Sequence, residues 1–289
     1  MMPDRPALVV PFTKMDGAGN DFVVLDNRFL RFSDDELAAL ARRMCPRRTG
    51  VGADGLLALD DEPEADFRMR YRNADGSLAT MCGNGARCLA RFAARAGLGT
   101  EADGTVALAF ETDGGRYRAE VAGRAASGPV RLAVPPARDY GPGPEDSVRI
   151  WTGTEHAVVF TDDAAGFDVD GQGRRLRQDP AFAPAGTNVN AVQVVGPATV
   201  RVRTYEKGVE AETLACGTGA VASALAAALG GHLGDHATGD RQTVAVEMPG
   251  GTLEVGFALA DGRASGITLA GPAETVYEGT LEWRGEPTG

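Results

Sequence analysis

Two segments of the chain, Met81-Cys82-Gly83-Asn84-Gly85-Ala86 and Ala215-Cys216-Gly217-Thr218-Gly219-Ala220, follow one pattern. Each sets a cysteine before a Gly-x-Gly turn that opens a small-residue, helix-forming run. The likeness continues beyond them. Residues 112–137 echo residues 248–273, both with paired glycines, an alternating strand, a Gly-Arg turn, Ser-Gly, a second strand and a proline. Asn20-Asp21-Phe22-Val23-Val24-Leu25-Asp26 is matched more loosely by the run from Glu155 to Asp162, which sets His156 against Asp21. A repeat near half the chain is far longer than a solenoid period. The pattern predicts duplication into two similar lobes.

Each half reads strand, helix, strands, cysteine turn, helix, strands. Ser33-Asp34-Asp35-Glu36 is a capping box that opens a helix through Arg43, with Leu37, Leu40 and Ala41 at helical spacing. The runs 86–96 and 220–229 are rich in alanine and leucine, and Gly97 and Gly230 stop them. Helices apolar on most sides are buried ones. The fold class expected is α+β, with two pseudo-symmetric lobes, each a β-barrel-like sheet around a central helix. The N-terminal lobe is expected over 7–126, completed by 274–289, and the C-terminal lobe over 127–273. The Pro/Gly-rich stretch from Pro135 to Pro144 is the expected linker.

Bulk properties narrow the partners. A net charge of −11 over 289 residues argues against nucleic acid or anionic lipid. No apolar run approaches the ~20 residues that span a bilayer, and residues 1–10 lack the pattern of a signal peptide. A cytoplasmic protein is expected. Its four cysteines lack framework spacing, and its histidines are only His156, His232 and His236. Thiol chemistry in a reducing compartment fits better than disulfides, zinc or iron–sulfur.

A lone cysteine before glycine is ordinarily a small buried residue, but a duplicated one is different. At a helix start the sulfur meets unpaired N–H groups and the positive dipole end, which favours thiolate. Two such half-sites facing one another could invert a carbon: one thiolate removes a proton and the other thiol returns one from the opposite side. The carboxylate of an amino acid would need a dense cradle of donors, for which Gly83, Asn84, Gly217 and Thr218 are placed. The only lysines, Lys14 and Lys207, lack a pyridoxal phosphate setting, so no cofactor and no metal is expected. Cys88, six residues after Cys82, reads as core, and Cys45 lacks the motif. His156 and Glu206 are candidate assistants, Glu206 standing where Asn73 stands in the first half.

These segments resemble the diaminopimelate epimerase family over almost the whole chain. The resemblance is carried by Gly19-Asn20-Asp21-Phe22, Gly50-Val51-Gly52-Ala53-Asp54-Gly55, Asn73-Ala74-Asp75-Gly76-Ser77, the run from Met81 to Cys88, Asn188-Val189-Asn190, Tyr205-Glu206, and the run from Glu212 to Gly219. Proline racemases share the fold and a cysteine-glycine turn, but not the Asn-Ala-Asp-Gly-Ser run. The resemblance implies cofactor-free two-base catalysis by Cys82 and Cys216, assisted by His156 and Glu206. It implies that Asn20, Asn73 and Asn188 hold the amino-acid substrate, and that the enzyme is a homodimer.

The departures from the family bear on the substrate. Where members read Gly-Asn-Pro-His, this chain has Gly153-Thr154-Glu155-His156; where they read Glu-Arg-Gly, it has Glu206-Lys207-Gly208. The following segment, Val209-Glu210-Ala211-Glu212, is one residue longer. By resemblance the displaced asparagine and arginine hold the second, non-reacting centre of diaminopimelate. Lysine lacks the planar fork that grips a carboxylate in two places, and Glu155 and Glu210 add negative charge nearby. The sequence therefore favours a racemase for a diamino acid without the distal carboxylate, such as 2,4-diaminobutyrate, ornithine or lysine, with Thr154, Glu155 and Lys207 lining its distal end. An authentic diaminopimelate epimerase is the alternative, and a redox-switched amino-acid sensor a remote third.

Overall fold

The computed structural model describes residues 7–124, 127–234 and 241–284; His236 lies outside them. The fold is mixed α+β and rich in sheet, and the chain divides into two compact units. One takes in Met1–Val130 with Pro272–Gly289, the other Arg131–Gly271.

In the first unit, strand Glu274–Trp283 pairs antiparallel with Leu8–Asp16, which pairs antiparallel with Asp21–Asp26. Gly55–Asp60 joins parallel, Phe67–Asn73 antiparallel, Thr105–Thr112 parallel and Gly115–Ala122 antiparallel. The second unit runs through the same order. Arg138–Pro142 and Val148–Trp151 are antiparallel, as are Val148–Trp151 and Glu155–Phe160. Asn188–Gly196 then joins parallel, Thr199–Glu206 antiparallel, Gln242–Met248 parallel and Gly251–Ala260 antiparallel. One alternation of strand senses is thus written twice. The register refines one detail of the repeat: His156 is the second residue of its strand and corresponds in pairing to Phe22 rather than Asp21.

Each unit holds one thirteen-residue helix, Gly83–Arg95 or Gly217–Leu229. The first touches the strands beginning at Asp21, Gly55, Phe67, Thr105 and Gly115. The second is met by strands from Val148–Trp151 through Arg263–Gly271, which explains why it is apolar all round. Alanines let those strands approach closely, while fully buried Leu89 and Leu225 contribute about 1.5–3 kcal/mol each by leaving water. Both helices start earlier than their alanine runs suggest. Each glycine pair lies inside the first turn, and Cys82 and Cys216 are the N-caps, with extended dihedrals (φ −142°, ψ 119° and φ −121°, ψ 108°).

The helix Asp34–Met44 begins as the capping box requires, with Ser33 and Glu36 bonding each other's backbone N–H. The stretch expected as linker is partly ordered pairing, since Arg138–Pro142 forms a strand on Val148–Trp151. Its prolines fall at the ends, where no ladder donor is needed. No helix among the described residues is long and apolar enough to cross a membrane.

A charged cluster anchors the start of strand Asp21–Asp26. Buried Lys14 donates to Asp21 at 2.6 Å and to the Gly52 carbonyl, and Arg47 grips Asp21 with two bonds of 3.0 and 2.9 Å. Burial would raise the Asp21 carboxyl, but the bonds from Arg47 and Lys14 outweigh it and bring it to about 2. Its folded value lies below its unfolded one, so its stabilisation is complete above the ordinary carboxylate range and is lost as pH falls through the folded value. At neutral pH, Asp21→Asn should cost on the order of 2 kcal/mol. Chemical denaturation at several pH values should show the gap from wild type narrowing as pH drops from about 4 towards 2. A gap independent of pH would refute this role.

Candidate active site

Cys82 stands at the start of its helix with its sulfur 3.6 Å from the Asn20 side-chain carbonyl, to which it donates. The Asn84 amide reaches the same oxygen at 3.5 Å. Asn84 is held in turn by Arg87, whose guanidinium donates to its Oδ1 at 2.8 Å and to the Gly17 carbonyl at 3.4 Å. Asn20 closes the sharp turn after strand Leu8–Asp16, where its carbonyl accepts from the Gly17 N–H at 2.9 Å. The structure therefore brings Cys82, Asn84 and Asn20 together, with Gly83 opening the helix beside them. Asn73 ends strand Phe67–Asn73 opposite Gly55, and its amide donates to Ser77 within its own turn.

In the second unit the Cys216 sulfur accepts from the Gly219 N–H at 3.4 Å, as an N-cap should. Thr218 Oγ1 lies 3.5 Å from it, and the Asn188 amide 4.0 Å. Asn188 also accepts from the Lys207 N–H at 2.8 Å, tying the cysteine to the turn that follows Glu206. Gly217 is the helix's first residue, and the Thr218 carbonyl accepts from Thr152 at 2.9 Å. This fixes the loop that carries Gly153 and Thr154 against the helix start.

His156 is fully buried. Asn190 Nδ2 lies 2.9 Å from its Nδ1, and the Thr204 hydroxyl donates to Asn190 Oδ1 at 2.9 Å. Since Asn190 donates, His156 Nδ1 accepts and its proton sits on Nε2. Among the described residues that Nε2 has no hydrogen-bond partner, a costly state for a buried donor. Burial, reinforced by Lys207, lowers the imidazole to about 3, so the ring is neutral at physiological pH. Glu206 ends strand Thr199–Glu206; burial raises its carboxyl, countered by a 2.9 Å bond from Thr213.

The distal candidates are paired rather than exposed as bare charge. Lys207 Nζ lies 2.5 Å from Glu155, and Thr154 donates to the same carboxylate oxygen at 3.1 Å. Burial would raise Glu155, but the Lys207 bond holds it below its ordinary value. Glu210 sits at φ 59° in the lengthened turn, accepting from the Gly208 N–H at 3.0 Å and from Arg177 at 3.1 Å. Arg177 is far from this turn in sequence, so nothing in the local pattern announced it. The negative pocket expected from Glu155 and Glu210 is offset by one cation for each carboxylate.

Burial pushes Cys45 to about 12 and raises Cys88 further, which leaves both as inert thiols of the core. Among the described residues no group of three His, Cys, Asp or Glu side chains could hold a metal ion. Sequence reasoning passed over Asn190, although two asparagines two residues apart on a buried strand signal one polar face. It also assigned no role to Thr204, Arg87 and Asp54, each of which bonds a residue remote in sequence, Asn190, Gly17 and Asn20 respectively.

The chain matches the sequence model of a family described as diaminopimelate epimerase over residues 12–132 and 148–276. A diaminopimelate epimerase of Chlorobaculum tepidum is 40% identical over 275 residues, covering 92% of this chain and 99% of that one. One from Flavobacterium psychrophilum is 37% identical over 268 residues, covering 93% and 98%. Among solved structures, a PhzF-family phenazine biosynthesis protein of Bacillus anthracis superposes with a TM-score of 0.72 at 15% identity, covering 95% of this chain and 99% of that one. A methylitaconate-delta-isomerase gives 0.70 at 14% identity, covering 96% of each. These structural likenesses bear on the fold.

Proposed function

Because the chain belongs to the diaminopimelate epimerase family of isomerases, we propose that it inverts the α-carbon of diaminopimelate by proton transfer between Cys82 and Cys216. The supporting observation is that both cysteines hold the same post, each the N-cap of a thirteen-residue helix. In this reading the two units are pseudo-symmetric barrel-like lobes. One sulfur, as thiolate, takes the α-proton, and the other, as thiol, delivers a proton to the opposite face. The Gly219 N–H and the helix dipole favour a charged Cys216 sulfur. Asn20, Asn84 and Asn188 supply amide groups for the substrate's amino and carboxylate groups. Neutral His156 offers an Nε2–H donor and does not compete as a base.

The ion pairs explain why diaminopimelate replaces the shorter diamino acid suggested by the sequence. With Glu155 and Glu210 each matched to a cation, a lone ammonium gains no special attraction. A second carboxylate can take up another of the three Lys207 N–H donors while the Glu155 pair is kept. One such charge-assisted bond is worth about 1.5–3 kcal/mol, or roughly ten- to a hundredfold in affinity. A second reading rests on the same pair: if Lys207 serves Glu155 alone in the complex, the distal clamp is absent and 2,4-diaminobutyrate, ornithine or lysine is preferred. Deuterium uptake at the α-carbon in deuterium oxide compares them. LL-Diaminopimelate should exchange with kcat/KM at least about tenfold above the monocarboxylic diamino acids; the reverse order would establish the second reading. A sensor would exchange none of them.

A further inference from the structure

The Asn20 amide has its two ends committed to different partners. Its carbonyl faces the Cys82 sulfur at 3.6 Å, and its NH2 group donates to Asp54 Oδ2 at 2.5 Å. The other Asp54 oxygen accepts from Arg47 at 2.6 Å, and Arg47 is fixed by its double bond to Asp21. The Asp21 N–H donates to the same Asp54 oxygen as Asn20, at 3.2 Å. A carboxylate accepts on both oxygens, so Asp54 can satisfy Arg47, Asp21 and Asn20 only if Asn20 turns its NH2 towards it. We propose that Asp54, held by Arg47, is a positioning residue that locks the Asn20 amide with its carbonyl towards Cys82, so that the sulfur is kept as a hydrogen-bond donor between turnovers.

The inference rests on the proposed role of Cys82 but is tested without turnover. The lock makes the two sulfurs unequal. Cys216 accepts a backbone N–H, whereas Cys82 donates to an amide oxygen. An acceptor beside a thiol favours its protonated form. The other charges in this neighbourhood act the opposite way or stand further along the chain of contacts. Arg87, on the same helix, acts electrostatically on Cys82, Cys88 and Asp16, while Lys14 reaches the lock only through Asp21. All of these stay in place in the variants below.

Asp54→Asn replaces one acceptor by a donor. Its remaining oxygen stays with the Arg47 cation and its NH2 meets both Asn20 and the Asp21 N–H, which drives Asn20 to flip against the pull of the Asn84 amide and present NH2 to Cys82. Alkylation of Cys82 by iodoacetamide, followed across pH by peptide mass spectrometry, reads the change. Below its midpoint the Cys82 of Asp54→Asn should react about tenfold faster than wild type, with the midpoint moved down by about one pH unit. Buried Cys88 should stay unreactive in both and so reports an intact fold. Asp54→Asn should add nothing in an Asn20→Ala background, since the lock acts through Asn20. An unmoved midpoint in folded Asp54→Asn, or an equal shift without Asn20, overturns the proposal. Should Asp54→Asn not fold, Asp54→Ala also removes the acceptor that orients Asn20 and must move the midpoint the same way, but not in an Asn20→Ala background; a midpoint equal to wild type again overturns the proposal. Retained racemisation in Cys82→Ala would instead strike at the two-thiol reaction and leave the alkylation result standing.

Discussion

Cys82→Ala and Cys216→Ala should each remove racemisation, with a loss of at least about a thousandfold, within the usual contribution of a positioned acid or base. The reason is stereochemical. Inversion needs an acceptor on one face of the α-carbon and a donor on the other, so either thiol alone is insufficient. Cys45→Ala and Cys88→Ala make the contrast, because both thiols are buried, with their ionisation pushed far above neutrality. They should cost stability through the lost packing of a small side chain, at about 1 kcal/mol, and leave kcat close to wild type. Polarimetry on LL-diaminopimelate reads net inversion, while deuterium uptake separates proton removal from delivery. A single-cysteine variant that still takes up deuterium but does not invert identifies the surviving thiol as a competent base. Undiminished inversion in either Cys82→Ala or Cys216→Ala would refute the mechanism.

The placement of the two cysteines was legible because duplication prints the same local physics twice. A cysteine before two glycines and a run of alanines announces the start of a buried helix, and both copies cap one. Ser33 and Glu36 likewise announce their helix through bonds made over three residues. What stayed hidden depends on contacts between distant segments. Glu155 and Glu210 read as unbalanced negative charge, but Lys207 and Arg177 meet them across 52 and 33 residues. The Asn20–Asp54–Arg47 lock spans two turns that are far apart in sequence. The strand Arg138–Pro142 was masked by Gly141, Pro142 and the prolines flanking it, whose preference for turns local composition overstates. His156 was singled out by its place at the start of a strand, but its tautomer is set by Asn190 and Thr204, which only strand register brings beside it.

Gly219→Ala should lower kcat by about a hundredfold, the scale expected when a reacting group is displaced by around an ångström. A β-carbon at this position would lie 2.5 Å from Asn190 Oδ1 and 3.3 Å from the Cys216 sulfur. Asn190 cannot yield freely, since its oxygen accepts from Thr204 and its amide holds the His156 ring. The crowding therefore reaches the proposed donor and the proposed reacting thiol of this unit at once: it moves the imidazole and presses on the sulfur. Helix propensity pulls the other way, because alanine is favoured over glycine in a helix by about 0.5–1 kcal/mol. The sign of the stability change is thus set by a small difference, while the catalytic loss has no such offset. Thr204→Val separates the two routes. It releases the Asn190 oxygen without touching the sulfur and should cost only about tenfold, in line with one buried hydrogen bond. Thermal melts and kcat measured together decide the matter: the Gly219→Ala enzyme should melt near wild type yet turn over slowly. Wild-type kcat in that variant would mean that the added β-carbon displaces neither the Asn190–His156 pair nor the Cys216 sulfur, and the prediction would fail.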